Sequence, residues 1–256
     1  MYADLDILNL NDKVCIVTGA GKGIGYDTAK LYYELGCNVA VITRDNEDIL
    51  RLEEDLGIDE NRFFSYAGDV ANPEVVGDFV EKVINSFGKI DILINNAGMR
   101  FRKSFTDITY DEWQKVMSVN VGSVFLMSQC VGKYMINQRY GRIINMTSIV
   151  GTLGLPELCG YAASKGAIIS LTKSLSLEWA KYNINVNAIA PGFCKTSYAE
   201  NFEKNTDLYN FTIERTPMKR WGESSDISKA CVFLTSDMSG YITGEILNVD
   251  GGWSAW

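Results

Sequence analysis

The sequence predicts a doubly wound α/β fold: a single parallel sheet of about seven strands with helices on both faces. Short β-rich apolar runs alternate with longer helical stretches along the whole chain, and several of those runs are apolar at nearly every position, as strands buried on both faces are. Only four prolines interrupt the 256 residues, with no low-complexity linker and no internal repeat. With 46% hydrophobic residues the chain can build one sizeable core, so one domain over residues 1–256 is expected.

The first strand is Lys13 to Thr18, and it runs directly into Thr18-Gly19-Ala20-Gly21-Lys22-Gly23-Ile24-Gly25, which opens a helix. Glycines allow a tight turn and close approach of backbone to a pyrophosphate, while the helix N-terminus offers unpaired N–H groups and a favourable dipole. The spacing differs from the G-x-G-x-x-G fingerprint, and a glycine turn by itself is also an ordinary strand-to-helix loop. The context decides in favour of a phosphate cradle, because a second strand follows at Asn38 to Thr43. Beyond that strand a dinucleotide fold reads the adenosine ribose: an acidic residue suits a free 2′-hydroxyl, and a cation suits a 2′-phosphate. Thr43 and Arg44 stand there, and Lys22 adds a second positive charge, which favours NADP(H) over NAD(H). Arg44 as a solvated loop residue, with Asp45 reading NAD, is the competing interpretation.

The third strand is Arg62 to Ala67. After it, Val75, Val76, Phe79, Val80, Val83 and Phe87 recur at near-helical spacing between Pro73 and Gly88, which predicts a covering helix over 73–87. The fourth strand, Ile90 to Ile94, ends in Asn95-Asn96-Ala97-Gly98, and the fifth, Arg142 to Met146, ends near Ser148. In a doubly wound sheet the ligand crevice lies beyond these C-terminal strand ends. Next, Tyr161-Ala162-Ala163-Ser164-Lys165 opens an apolar, small-residue helix, and i to i+4 spacing puts Tyr161 and Lys165 on one face. A tyrosine hydroxyl ordinarily titrates near 10, and a neighbouring ammonium lowers that value by stabilising the phenolate. The pair by itself is common on ordinary helix surfaces; its weight comes from its company. The sixth strand is Ile184 to Ile189 and the seventh Glu245 to Val249, and the irregular stretch Phe193 to Gly222 between them has the length of a substrate lid.

Composition excludes several chemistries. Histidine is absent, which removes Ser-His-Asp and Cys-His hydrolytic machinery and His-ligated zinc, and no metal site is expected. A net charge of −8 argues against nucleic acid or an anionic membrane as the main partner. No apolar stretch approaches the roughly 20 residues that span a bilayer. Residues 1–12 carry no basic residue of the kind that opens a signal peptide, so a cytoplasmic protein is expected. The six cysteines lack metal or redox spacing and read as buried free thiols.

Taken in order, Thr18-Gly19-x-x-x-Gly23-x-Gly25, Asp69-Val70, Asn95-Asn96-Ala97-Gly98, Asn120, Ser148, Tyr161-x-x-x-Lys165 and Pro191-Gly192-x-x-x-Thr196 strongly resemble the short-chain dehydrogenase/reductase family, across nearly the whole chain. The resemblance implies a Rossmann-type fold and an oxidoreductase that interconverts a small-molecule ketone and a secondary alcohol. It implies a catalytic tetrad of Asn120, Ser148, Tyr161 and Lys165. Tyr161 would move the proton at the substrate oxygen, Ser148 would hydrogen-bond that oxygen, Lys165 would lower the tyrosine pKa and bind the nicotinamide ribose, and Asn120 would support a water relay. It further implies that Gly19, Gly21, Lys22, Gly23, Ile24 and Gly25 hold the pyrophosphate end. Asp69 and Val70 would meet the adenine, Asn95, Ala97 and Gly98 would line the cofactor cleft, and Ile189 through Thr196, with Pro191 and Gly192, would bracket the nicotinamide. A homotetramer is implied as well, with helices around Asp111 to Met135 and Tyr161 to Tyr182 packing across one interface and the C-terminal segment across another.

Substrate marks are weaker. Met99-Arg100-Phe101-Arg102-Lys103 concentrates three cations, which suits a carboxylate or phosphate, with Arg100 and Arg102 as candidate contacts; solvated loop charges are an equally common interpretation. The stretches Arg100 to Phe105, Glu214 to Pro217 with Arg220 to Gly222, and Asp250 to Trp253 are similar to gluconate 5-dehydrogenase and 2-deoxygluconate 3-dehydrogenase members. Gly141 to Asn145, Ser148 to Gly151 and Tyr241 to Glu245 are similar to 3-oxoacyl-carrier-protein reductases. A nucleotide-binding protein without turnover is a third interpretation, and the complete tetrad argues against it.

Overall fold

The computed structural model describes residues 8–196 and 206–255. The strands are β1 (Val14–Thr18), β2 (Asn38–Thr43), β3 (Phe63–Ala67), β4 (Ile92–Asn95), β5 (Gly141–Met146), β6 (Ile184–Pro191), β7 (Cys194–Lys195), β8 (Gly222–Glu223) and β9 (Ile246–Val249). Seven of them form one parallel sheet in the order β3-β2-β1-β4-β5-β6-β9, and β7 pairs with β8 in a small separate sheet. Chain order reverses at β1, which pairs with β2 on one side and β4 on the other. That reversal leaves a crevice at the carboxyl ends of the strands, where crossover loops diverge to opposite faces.

The predicted strands agree with the observed ones to within two residues at every boundary. Alternation along each strand divides the core in two. Cys15 and Val17 of β1 point into a cluster with Ala29 and Tyr32 of helix α1 (Gly23–Glu34) and with Ile227 and Cys231 of a C-terminal helix. Val14 and Ile16 point the other way, toward Val76, Phe79, Met127 and Val131. Both faces of the sheet are therefore covered, as all-parallel sheets require.

Helix α2 (Asn46–Leu56) follows β2, and α3 (Pro73–Phe87) follows β3. The limits of α3 are those its periodicity predicts. Asn72 Oδ1 accepts a hydrogen bond from Glu74 N at 2.9 Å, Pro73 occupies the first turn, and Gly88 closes the helix at φ 75°. The stretch around 111–135 is helical as expected and divides in three. It is α4 (Tyr110–Met117), a π-helical turn over Ser118–Gly122, and α5 (Ser123–Gln138). The π turn widens the backbone around Asn120, which is fully buried. After β5 come α6 (Cys159–Trp179), α7 (Thr206–Arg215) and α8 (Ser224–Thr235).

Within the stretch 193–222, residues 197–205 lie outside the described residues, and the remainder is more regular than expected. It contains α7, which lacks a continuous apolar stripe because its polar residues alternate with Leu208, Phe211 and Ile213. Pairing of β7 with β8 brings Phe193 to Trp221, ring centroids 5.7 Å apart, and Trp253 packs on Phe193 at 4.8 Å. Three of the six thiols are buried as expected, Cys15, Cys37 and Cys231; Cys130 and Cys194 are half-buried and Cys159 is exposed at the start of α6. Among the described residues no helix is long and apolar enough to cross a membrane.

Candidate active site

The strand ends β1, β2, β4, β5 and β6 surround a cleft of about 540 Å³. Its floor is a hydrogen-bond clamp between the two strands at the reversal point. Thr18 Oγ1 accepts from Asn96 N at 3.0 Å and Ala97 N at 2.9 Å, while Asn96 Nδ2 donates to the carbonyls of Thr18 and Gly19, each at 3.0 Å. A Cβ on Gly25 would stand 2.3 Å from both Asn96 Nδ2 and Gly19 O. Gly25 therefore serves the close packing of α1 on the clamp and does not line the cleft.

Along the wall lie Gly19, Gly21, Lys22, Gly23 and Ile24 of the turn, Thr43 and Arg44 after β2, and Asp69 and Val70 after β3. Ala97 and Gly98 after β4 and Pro191, Gly192 and Thr196 after β6 complete that wall. The first turn of α1 receives no side-chain cap and contains no acidic residue. By contrast, α3 is capped by Asn72 and α4 by a Thr109–Glu112 capping box. An uncapped helix start opening onto a glycine-lined cleft fits an external anion such as a pyrophosphate.

Ser148, Tyr161 and Lys165 line the same cleft at the far end of β5. Ser148 caps a 3-10 turn at Ile149–Gly151, its hydroxyl accepting from Val150 N at 3.4 Å. Tyr161 and Lys165 project from the first turns of α6, with Lys165 Nζ 5.6 Å from the tyrosine ring centroid. Lys165 is 4% exposed, and its ammonium donates to the Met146 carbonyl at 2.8 Å. Burial pushes its pKa down to about 8. Cys194 is also on the wall, but burial foremost pushes its thiol up to about 12, so it presents no thiolate at neutral pH.

Asn120 reaches the site through backbone. Its Oδ1 accepts from Met99 N at 2.7 Å, and its Nδ2 donates to Met99 O at 3.0 Å and Ser164 Oγ at 2.9 Å. With its amide committed at both ends, the side chain joins the loop after β4 to α6. An added Cβ on Gly98 would lie 3.3 Å from Asn120 Oδ1 and 3.6 Å from Lys165 Nζ, so the three elements meet at that glycine.

Two sequence expectations are relocated. Asn95 does not line the cleft: its Nδ2 donates to Asn145 Oδ1 at 2.9 Å and Ser128 Oγ at 3.1 Å within the interior, because its strand position points it between the helices. Its neighbour Asn96 takes the place at the cleft. Arg102 lies outside the main cleft, its Nε donating to Glu157 at 2.7 Å, and Lys103 is held by both oxygens of Glu112 at 2.8 Å. Arg100 is the cation of that trio on the cleft wall. Arg100 and Arg102 also border an adjoining apolar cavity of about 200 Å³ walled by Leu155, Leu158, Phe193, Phe211 and Trp253. Sequence reasoning missed Thr18 and Asn96 as side-chain clamps, although both sit inside motifs it used. It also missed Asp48, which lines the cleft from α2 and carries no local signal.

A cleft at the reversal of a doubly wound sheet, with an uncapped helix at one end and a serine, tyrosine and buried lysine at the other, defines a nicotinamide-dependent oxidoreductase of the short-chain type. The matching family model is described as Enoyl-(Acyl carrier protein) reductase and spans residues 19–254. The chain belongs to the short-chain dehydrogenase/reductase family, whose members bind a nicotinamide cofactor and act on CH–OH groups. It is 38% identical over 253 residues to a 2-dehydro-3-deoxy-D-gluconate 5-dehydrogenase of Dickeya dadantii, covering 98% of this chain and 99% of that one. It is also 38% identical over 248 residues to a 3-oxoacyl-acyl-carrier-protein reductase of Thermotoga maritima, covering 96% and 99%. A gluconate 5-dehydrogenase from Burkholderia cenocepacia, solved with NADP and tartrate, superposes with a TM-score of 0.92 at 33% identity over 98% of both chains.

Proposed function

We propose that this protein is an NADP(H)-dependent oxidoreductase that interconverts a ketone and a secondary alcohol on a sugar acid or related polyol. The observation that carries the reading is the meeting of Ser148, Tyr161 and the buried Lys165 on one cleft wall, opposite the uncapped start of α1. Bound in that cleft, the nicotinamide cofactor supplies the hydride. In the reducing direction Tyr161 donates a proton to the substrate oxygen, and Ser148 donates a hydrogen bond to the same oxygen as charge develops. The Lys165 ammonium stabilises the tyrosine phenolate left behind and holds a ribose hydroxyl. Asn120 is a positioning residue that ties the loop after β4 to α6. Arg100, on the cleft wall, meets the substrate carboxylate.

Lys22 and Arg44 on the cleft wall support NADP(H) over NAD(H). NADPH is expected to bind more tightly than NADH in a fluorescence titration. Arg44→Ala is expected to erase part of the difference, since one charge-assisted contact contributes on the order of 1.5–3 kcal/mol. Equal affinities in the native protein, or an unchanged preference in the variant, would reject the assignment.

A second reading, a 3-oxoacyl-carrier-protein reductase, is favoured by the adjoining apolar cavity, whose walls suit an acyl chain better than a row of hydroxyls. A panel of sugar-acid ketones against 3-oxoacyl thioesters, followed by NADPH absorbance, separates the two. Assembly as a homotetramer is supported by large apolar side chains left on helix surfaces, Phe125 on α5 at 49% and Leu177 on α6 at 85% exposure. Light scattering is expected to report four chains per particle; a monomer at micromolar concentration would contradict it.

A further inference from the structure

The adenosine end of the cleft carries a charge that neither the glycine turn nor the end of β2 supplies. Asp48, in the first turn of α2, is 7% exposed and forms part of the cleft wall. Its carboxylate occupies the space under the glycine turn: a Cβ at Gly21 would come within 2.4 Å of Oδ2. Two cations converge on it, Arg51 with a nitrogen 2.9 Å from Oδ1 and Lys22 with Nζ 3.5 Å from the same oxygen. Arg51 also donates to the Gly21 carbonyl, stitching α2 to the turn. Side-chain exposure is 54% for Lys22 and 48% for Arg51 against 9% for Asp48, so the carboxylate is the fixed member and the cations gather around it.

We propose that Asp48 sets how strongly this site discriminates between a 2′-phosphorylated and an unphosphorylated adenosine ribose. The inference rests on the reading of this cleft as a nicotinamide dinucleotide site. Before a ligand arrives, the carboxylate holds Lys22 at the turn and neutralises part of its charge. A ribose 2′-hydroxyl meets no penalty there, because a carboxylate accepts its hydrogen bond. A 2′-phosphate is a second anion that must share Lys22 with Asp48, so part of its attraction to Lys22 and Arg44 is cancelled by repulsion. Asp45, also on the wall, adds repulsion of the same sign from the loop before α2. Asp48 thereby lowers a preference for NADP(H) that Lys22 and Arg44 would otherwise make steeper, and keeps NAD(H) usable.

The test is calorimetric titration of the native protein and Asp48→Asn with 2′,5′-ADP and 5′-ADP, repeated with NADPH and NADH. Asparagine keeps the volume beneath Gly21 and removes the charge. Affinity for the 2′-phosphorylated ligands is expected to rise on the order of tenfold, as removal of one nearby like charge allows, with the unphosphorylated ligands unchanged or weakened. The gain should shrink at high salt. Arg51→Gln leaves the carboxylate with one cation fewer and is expected to move the ratio the opposite way, which keeps the proposal testable if Asp48→Asn folds poorly. Parallel changes in both ligand classes, or a ratio within twofold of native in both variants, would overturn it and make Asp48 a purely structural anchor. A native protein that prefers NADH would overturn the NADP(H) reading alone, since the shift caused by Asp48→Asn would still be toward the phosphorylated ligand.

Discussion

Tyr161→Phe is expected to lower turnover by roughly 100- to 10,000-fold, the range that a positioned general acid or base contributes, while cofactor affinity stays close to native. The substitution removes one hydroxyl from the cleft wall and leaves the glycine turn, Arg44 and the Lys165 ammonium in place. Among the described residues no other group at that end of the cleft is suited to the proton transfer. Histidine is absent from the chain, Cys194 is held as a neutral thiol, and the Lys165 ammonium is bonded to the Met146 carbonyl. Ser148→Ala is expected to cause a defect of similar size, because the substrate oxygen then loses its second hydrogen bond as charge builds. Steady-state rates with a reactive ketone, paired with a fluorescence titration of cofactor, check both. A Tyr161→Phe protein that retains more than about a tenth of native turnover would show that this acid is dispensable.

Lys165→Met is expected to damage turnover and cofactor binding together, which separates it from Tyr161→Phe. Its ammonium faces both the tyrosine ring and the cleft, so its loss removes the support for a phenolate and a ribose contact in one step. The same variant reports on burial. In the folded, ligand-free protein Lys165 releases its proton at about 8, against 10.5 for an ordinary lysine. Between those values the unfolded chain holds the extra proton, so this residue's contribution to stability rises with pH through that window. Below about pH 8 the buried charge opposes folding in full, by roughly 3 kcal/mol at 1.36 kcal/mol per pH unit. Denaturant unfolding of native and Lys165→Met proteins at pH 7 and pH 10 is therefore expected to show native stability gaining on the variant at the higher pH. A pH-independent difference would mean that the ammonium is solvated.

The residues proposed as catalytic were legible through the family resemblance, because each motif that carries it is a short segment whose geometry is local. Tyr161 and Lys165 share a helix face by spacing alone, the glycine turn lies between a strand and a helix that patterning locates, and Ser148 follows a strand end found the same way. Asn95 shows the limit of such reasoning. A strand residue's facing alternates, so a one-position difference separates the buried Asn95, bonded to Asn145 and Ser128, from Asn96 on the cleft. The helical run around Asn120 hid its π turn for a related reason: apolar spacing on either side of Ser118–Gly122 reads as continuous.

What the sequence by itself determined was the chain order of strands and helices and the exclusion of imidazole chemistry, because these follow from residue type and near-neighbour spacing; the groups proposed as catalytic came from the family resemblance that the motifs carry. Charge partnership was decided only by the tertiary structure. Arg102 was a candidate substrate contact until Glu157 was folded against it, and Lys22 was a candidate phosphate reader until α2 brought Asp48 beneath the glycine turn. The physical reason is that apolar periodicity reports which face is buried, whereas the field at an ionic group depends on charges a few ångströms away in space that lie at any distance along the chain.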